Sequence, residues 1–401
     1  MMFDVIVVGA RCAGASLAML LARGGHRVAV VDRASFPSDT MSTHFLWQRA
    51  AFRLRDWGLL DRLHASGCAP IEQITFDVGP VQMSGIGPGV EGQTAAYCPR
   101  RTVLDTVLVE AAVEAGAELI DGVVVDDVVW TDGRVSGVRG RRKGGGGSLS
   151  LRAPLVVGAD GLHSTVARRV AARVYNHHPP LTCVYYSYWS GLGDVRASFH
   201  ARTGQLILVW PTNDGLSCIY VGWPRREFAR VRTDLDRSFH AALDLVPGLR
   251  DTVASGHREQ RFVGTADLPN QYRTSVGPGW ALLGDAGHHK DPSTGMGIAD
   301  AFLSADLLAE AIHSARAGRP VDDALGDYQR QRDQLTANGF ELALSTARLA
   351  PLSNELTAFY RAAAAQPEVV EQIFGVLGGS VPIRDVYSAP NIASVLAQTN
   401  A

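Results

Sequence analysis

Near the start of the chain, apolar residues come in two short unbroken runs separated by a stretch of small residues. "DVIVVG" (4–9) and "RVAVVD" (27–32) read as strands buried on both faces, and "AGASLAMLLARGG" (13–25) reads as a helix that stops at the Gly24-Gly25 pair. Together they make a β-α-β unit of about thirty residues that ends on an acid. A polar loop, "SFPSDTMSTH" (35–44), leads into "FLWQRAAFRLRDWGLLDRL" (45–63), whose pattern predicts a helix, and residues 100–117 also carry apolar positions at helical spacing. From 118 to 161 the pattern predicts hairpin strands, with a turn at Thr131–Gly133, a solvated tip at "RRKGGGG" (141–147) and a last buried strand in "LVVGADG" (155–161). Between about 175 and 270 the texture becomes alternating and aromatic, as in "CVYYSYWSG" (183–191) and "GQLILVWPTNDGLSCIYVGWP" (204–224). This predicts antiparallel strands of a separate sheet, with a helix at 226–247. "WALLGDAG" (280–287) returns to the buried-strand pattern, a long helix follows at 297–315, and helices continue from Asp322.

The predicted fold class is α/β. Residues 1–174 and 271–320 form a discontinuous Rossmann-like nucleotide-binding domain with additional β-hairpins. An antiparallel, sheet-rich substrate domain is inserted at 175–270, and 321–401 is a helical C-terminal region.

Bulk properties narrow the function classes. The net charge of −2 leaves no electrostatic footprint for nucleic acid or an anionic membrane. No apolar run reaches the roughly 18 residues of a membrane span, and the N-terminus lacks a basic n-region. The five cysteines are odd in number, scattered and without a C-x-x-C, so we expect reduced thiols in a cytoplasmic protein and no bound metal. Only two lysines occur, Lys143 and Lys290, so most arginines read first as compositional bias.

The chemistry begins at "GARCAGAS" (9–16). Gly9 suits a tight strand-to-helix turn, Gly14 suits close packing of helix on sheet, and the helix start offers free N–H groups to a diphosphate. The middle glycine of the usual G-x-G-x-x-G is replaced by Arg11. Gly9, Ala10, Arg11, Cys12, Ala13 and Gly14, with Asp32 and Arg33 at the end of the second strand, are the candidate dinucleotide contacts. Asp32 suits ribose hydroxyls. Arg11 is expected either to reach the diphosphate or to point outward. Cys12 lies at a helix start, which lowers a thiol pKa, but its better reading is a small buried packing residue. This turn alone does not separate NAD from FAD.

Two later stretches do. "VVGADGLHSTVARR" (156–169) and "LLGDAGHHKDPSTGMGIADAFLSADLLA" (282–309) stand in order after the turn. Together the three motifs resemble the group A flavin-dependent monooxygenases, the para-hydroxybenzoate hydroxylase-like proteins, a family that merges with geranylgeranyl-reductase-like flavoproteins. The resemblance implies FAD, reduced by NADH or NADPH. It implies hydroxylation or epoxidation of a hydrophobic or aromatic small molecule through a flavin C4a-hydroperoxide, with molecular oxygen as co-substrate. A separate flavin reductase is an open partner. The resemblance makes Asp285, after Gly284, the ribityl acceptor, sets Pro292 beside the flavin ring, and gives Gly295, Met296 and Gly297 the flavin-side helix start. Asp160 and Gly161, with Arg168, match the loop that steadies FAD, a structural ion pair being the competing reading for Asp160 and Arg168. Arg101 matches a flavin or phosphate contact, and Val125 a backbone contact to adenine.

His44, His288 and Lys290 are the candidate catalytic side chains, with His289 beside them. They would orient substrate or shift a phenol's ionisation, and structural roles compete, for Lys290 through pairing with Asp291. Tyr185, Tyr186, Tyr188, Trp189 and Trp210 point to a bulky apolar substrate or, equally, to ordinary sheet core. A reductase of the geranylgeranyl type is the alternative activity, and a non-enzymatic carrier on the same fold is a third. A halogenase is disfavoured, because no lysine precedes Lys143 and the W-x-W-x-I-P signature is absent.

Overall fold

A computed structural model describes residues 3–398. Strands are numbered β1–β20 and helices α1–α14 along the chain. The first sheet has six strands in the order β18 (Val276–Gly277), β19 (Trp280–Leu282), β9 (Leu155–Gly158), β1 (Val5–Val8), β2 (Val28–Val31) and β5 (Glu118–Ile120). β1 runs parallel to both neighbours, with Val5 opposite Val28 and Leu155. Every residue of β1, β2 and β9 is buried, which is why these runs carry no polar alternation.

Strand alternation splits β1 between two cores. Val5 and Val7 pack with Leu17 and Leu21 of α1 (Cys12–Arg23), Leu104 and Leu108 of α4 (Arg101–Glu114), and Phe302 of α9 (Gly297–Arg316). Ile6 and Val8 face Val123, Val138 and Val166, supplied by β6 (Val123–Thr131), β7 (Arg134–Arg142) and α5 (Thr165–Arg169). β6 and β7 form a three-stranded sheet with β8 (Ser148–Arg152). Asp132 and Gly133 both take positive φ (48° and 75°) in the β6–β7 turn, as a two-residue hairpin requires.

The second large sheet has eight strands. Its path is β15 (His257–Arg258), β11 (Thr182–Ser190), β14 (Ser217–Pro224), β13 (Gln205–Pro211), β12 (Ala197–Arg202), β3 (Ile74–Asp77) and β4 (Gln82–Gly85), with β16 (Val263–Thr265) on β11. One face packs under α6 (Phe228–Thr233), α7 (Leu235–Leu243) and α8 (Leu249–Ser255). The other is covered by α11 (Asn354–Ala363), α12 (Pro367–Gly378), α13 (Ile383–Tyr387) and α14 (Ala389–Gln398). A three-stranded ladder of β10 (Val174–His178), β17 (Asn270–Arg273) and β20 (His288–His289) lies against the long helix α10 (Val321–Ala347).

Three features depart from the sequence reading. β3 and β4 come from within residues 1–174, yet they join the far sheet, β3 running parallel to β12. The segment 45–63 is not one helix. It divides into α2 (Gln48–Asp56) and α3 (Leu60–Ala65) at Gly58, whose φ of 75° no helix accommodates. The segment 226–247 divides likewise at Asp234, whose carboxylate accepts from the Arg237 amide to start α7. No helix among the described residues is long and apolar enough to cross a membrane.

Candidate functional site

The first turn is built by steric exclusion. Gly9 has φ +103°, and a Cβ there would lie 2.3 Å from the Ala159 carbonyl oxygen. A Cβ on Gly14 would lie 1.8 Å from the Gly9 oxygen. Glycine within a helix costs about 1 kcal/mol against alanine, but a contact that short forbids alanine outright. α1 then begins at Cys12 with no side-chain cap and no acid in its first turn, so its leading N–H groups stay open. Asp32 accepts from the Ala10 amide (2.6 Å) and the Ala34 amide (2.7 Å), tying this turn to the end of β2. β6 starts beside it, with the Val123 amide on the Asp32 carbonyl, which brings Val125 near this end of the cradle. Arg33 is exposed.

A second glycine turn abuts the first and leads on to another uncapped helix start. Gly284 has φ +58°, and a Cβ there would lie 2.9 Å from Ala13 Cβ, so the Gly284-Asp285 turn abuts the beginning of α1. The Asp285 side chain is exposed at this turn. Buried Asp291 caps the short 292–294 turn by accepting from the Ser293 amide (3.1 Å), with Pro292 at its first position. Gly295 closes it with φ +67°. After Met296, α9 begins at Gly297, again with no side-chain cap, and a Cβ on Gly297 would meet open space. Gly161 also borders open space. Two uncapped helix starts, glycine turns and an exposed carboxylate suit an elongated ligand with an anionic centre and hydroxyl groups.

The far wall comes from the loop before α2 and one face of the large sheet. His44, fully buried with φ 41°, stacks on Tyr188 at 5.7 Å and sets Nε2 3.3 Å from the Tyr188 hydroxyl. Burial pushes His44 down to about 3 and the Tyr186 and Tyr188 phenols up, so all three are neutral near pH 7. The Tyr186 hydroxyl accepts from the Ser42 amide (3.3 Å). Arg100 lies 4.4 Å over the Tyr188 ring and bonds Asp39 at 2.9 Å. Phe45, Trp47, Phe199 and Trp210 form a contiguous aromatic cluster. Trp47 Nε1 donates to the Thr294 carbonyl (2.9 Å), which joins the wall to the cradle.

Residues 2–341 match the family model described as an FAD binding domain. The chain belongs to this family. It is thereby one of the group A flavin monooxygenase-type FAD proteins, and an FAD-dependent oxidoreductase. It is 34% identical to the protein FixC of Salmonella typhi over 182 residues, 44% of this chain and 41% of FixC, so the match spans about two fifths of that relative. The menaquinone reductase of Mycolicibacterium smegmatis is 29% identical over 377 residues, covering 87% of this chain and 85% of that protein. Among solved structures, PqsL, a probable FAD-dependent monooxygenase from Pseudomonas aeruginosa, superposes with a TM-score of 0.71 at 22% identity, covering 94% of this chain and 99% of that one. At that identity the likeness shows the fold.

Placed in this flavoprotein, the predicted site residues separate. The cradle residues from Gly9 to Gly14, with Asp32, Gly284, Asp285 and Gly295–Gly297, converge around the two helix starts. Arg11 departs from the outward-pointing alternative. Its guanidinium bonds Asp105 Oδ2 (2.6 Å), Ser38 Oγ (3.0 Å) and the carbonyls of Ser38 (3.2 Å) and Asp39 (3.1 Å). It does not point outward, because four protein acceptors hold it. Arg101 shares the same carboxylate, with Nε and Nη2 at 3.1 and 2.8 Å from Asp105 Oδ1. Cys12 also donates to Asp105 (3.2 Å), and burial pushes its thiol well above its usual value, overriding the helix start. Fully buried Asp105 escaped the sequence reading. Its one local signal is the spacing of four from Arg101 on a helix.

Asp160 and Arg168 do not bond each other. Asp160 accepts from the Thr165 and Val166 amides at 2.7 and 3.3 Å, capping α5, while Arg168 bonds the His163 carbonyl (2.6 Å) and Thr165 Oγ1 (3.0 Å). His288 and Lys290 lie on one side of the strand and pack toward α10. His288 stacks on Tyr272 at 4.3 Å and lies near Phe340, and burial holds it well below its ordinary pKa. The Lys290 ammonium bonds Asp300, not Asp291, and Gly339 of α10 leaves room for it. His289 bonds the Pro269 carbonyl. Of the three candidate catalytic side chains, only His44 lies on the aromatic wall. The five singled-out aromatics also divide. Tyr186, Tyr188 and Trp210 face the wall, while Tyr185 and Trp189 point the other way, toward Trp223 and Phe239 under α6–α8.

Proposed function

We propose that the protein is an NAD(P)H-driven FAD-dependent monooxygenase that hydroxylates or epoxidises a hydrophobic, aromatic small molecule. One observation carries the reading. The neutral, buried pair His44–Tyr188 sits among aromatic rings on a wall tied to the start of α9 through Trp47 and Thr294. Bound FAD would supply hydride acceptance and oxygen activation. The chain's own groups do the rest. The open starts of α1 and α9 favour negative charge at the diphosphate and at the reduced ring respectively. Tyr186, Tyr188 and the Phe45–Trp47 cluster exclude water and hold an aromatic substrate by stacking. His44 Nδ1, buried without a partner among the described residues, is free to accept a hydrogen bond from a substrate hydroxyl and so orient it, while burial keeps the imidazole too weak a base to remove the proton.

A second reading is reduction of a polyprenyl-type or quinone-bearing substrate. The near full-length relationship to a menaquinone reductase favours it. Anaerobic mixing of the yellow protein with NADH or NADPH, with and without candidate substrates, separates the two. The monooxygenase reading expects substrate-accelerated bleaching and then oxygen uptake with an oxygenated product. Reduced product formed without oxygen supports the second reading. Failure of both nucleotides to bleach the flavin overturns the version in which the protein is its own reductase.

A further inference from the structure

Outside the cradle, three side chains stand in line on the large sheet. Ser198 and His200 alternate onto one face of β12, and Asp77 of β3 is the register partner of His200. Ser198 Oγ lies 2.9 Å from His200 Nε2, and His200 Nδ1 lies 3.0 Å from Asp77 Oδ2. These are hydrogen-bonding distances for a nucleophile, its base and the group that orients the base. We propose that Ser198, His200 and Asp77 form a second reactive centre that accepts the acyl group of small activated esters.

The surroundings fix each role. Asp77 is held by the Gly79 amide (2.8 Å) and by both terminal nitrogens of Arg202 (3.0 and 2.6 Å). Burial alone would raise its pKa, but the bonds from Arg202 and His200 outweigh burial and keep it ionised. Burial lowers His200, so the imidazole is neutral near pH 7, with Nδ1–H donated to Asp77 and the Nε2 lone pair turned to Ser198. Ser198 is half-buried and opens onto a polar stripe of exposed sheet. Its register partner Thr75 bonds Ser84 (3.1 Å), and Arg196, two residues before it on the same face, bonds Gln73 (3.1 Å). The Thr75 hydroxyl and the Arg196 guanidinium are the donors nearest in register for a developing oxyanion. β12 pairs with β13 on one side and β3 on the other, so the backbone N–H groups of β12 are committed to the ladders and supply no oxyanion hole. Turnover is therefore slow and confined to esters with good leaving groups.

In the reaction, Ser198 Oγ bonds to the ester carbonyl carbon as its proton moves to His200 Nε2. The bond to the leaving alcohol breaks and that alcohol takes the proton from His200. Water, deprotonated by the same imidazole, then releases the carboxylic acid and restores Ser198. The balance is ester plus water to acid plus alcohol.

The test treats the full-length FAD-loaded protein with 4-nitrophenyl acetate and, separately, with an alkyl fluorophosphonate followed by peptide mass spectrometry. We expect one adduct, on Ser198, and nitrophenolate release that falls roughly 100-fold in Ser198→Ala and His200→Gln, while both keep the parent flavin spectrum and melting temperature. Labelling of the parent should also slow as the pH drops and His200 protonates, a readout that needs no variant. Absence of the Ser198 adduct, a pH-independent labelling rate, or equal labelling of parent and His200→Gln overturns the proposal.

Discussion

The cradle and the aromatic wall, joined by the bond from Trp47 to Thr294, are built on opposite principles. The cradle leaves backbone donors open at the starts of α1 and α9 and secures that opening with glycines that admit no side chain. The wall does the reverse, keeping His44, Tyr186 and Tyr188 neutral among packed rings. α5 marks the contrast within the cradle's own domain. Ser164 and Asp160 cap its start, so no comparable opening remains there.

The sharpest way to break this contrast is Gly14→Ala. Its Cβ would overlap the Gly9 carbonyl, so we expect loss of bound flavin and of most of the folded protein, seen as colourless protein and an early melting transition. Asp105→Ala strikes beneath the cradle, leaving Arg11 and Arg101 without their shared carboxylate. A loss of about 3–5 kcal/mol is expected, measured by denaturant titration, with weakened FAD affinity as the loop at Ser38–Asp39 loosens. Acid tests the wall. The folded pKa of His44 lies below its unfolded value near 6.5, so the unfolded chain binds more protons at low pH. Stability is fullest above pH 6.5 and should fall by about 2 kcal/mol on this account by pH 5. His44→Phe should flatten that slope in pH-dependent unfolding. Asp160→Ala removes the α5 cap bonds to the Thr165 and Val166 amides, leaves that of Ser164, and should cost about 1 kcal/mol, with an FAD dissociation constant close to the parent's. A large loss of FAD affinity in that variant would move Asp160 into the cradle and blur the comparison.

Much of the cradle was legible in the sequence because its causes are local. Unbroken apolar quartets signal strands buried on both faces, and Gly9 and Gly14 meet their constraints within the same turn. Asp105 was not legible, since Arg11 lies 94 residues away and only the packing of α1 on α4 joins them. Lys290 misled for a related reason. Asp291 is its neighbour in sequence, but strand alternation turns it to Asp300. On the wall, the alternation along β11 already divided Tyr186 and Tyr188 from Tyr185 and Trp189. What the sequence lacked was which face the loop at 42–47 would cover.

The parallel pairing of β3 with β12 has a consequence for how such a protein changes over evolutionary time. The chain enters the large sheet at 74–85, returns to the nucleotide-binding half, and enters the sheet again at 182. The large-sheet half is thus no cassette. A recombination event, or a laboratory graft, that exchanged residues 175–270 for those of a relative would deliver a sheet lacking two of its strands and leave the donor's edge to find partners in a foreign scaffold.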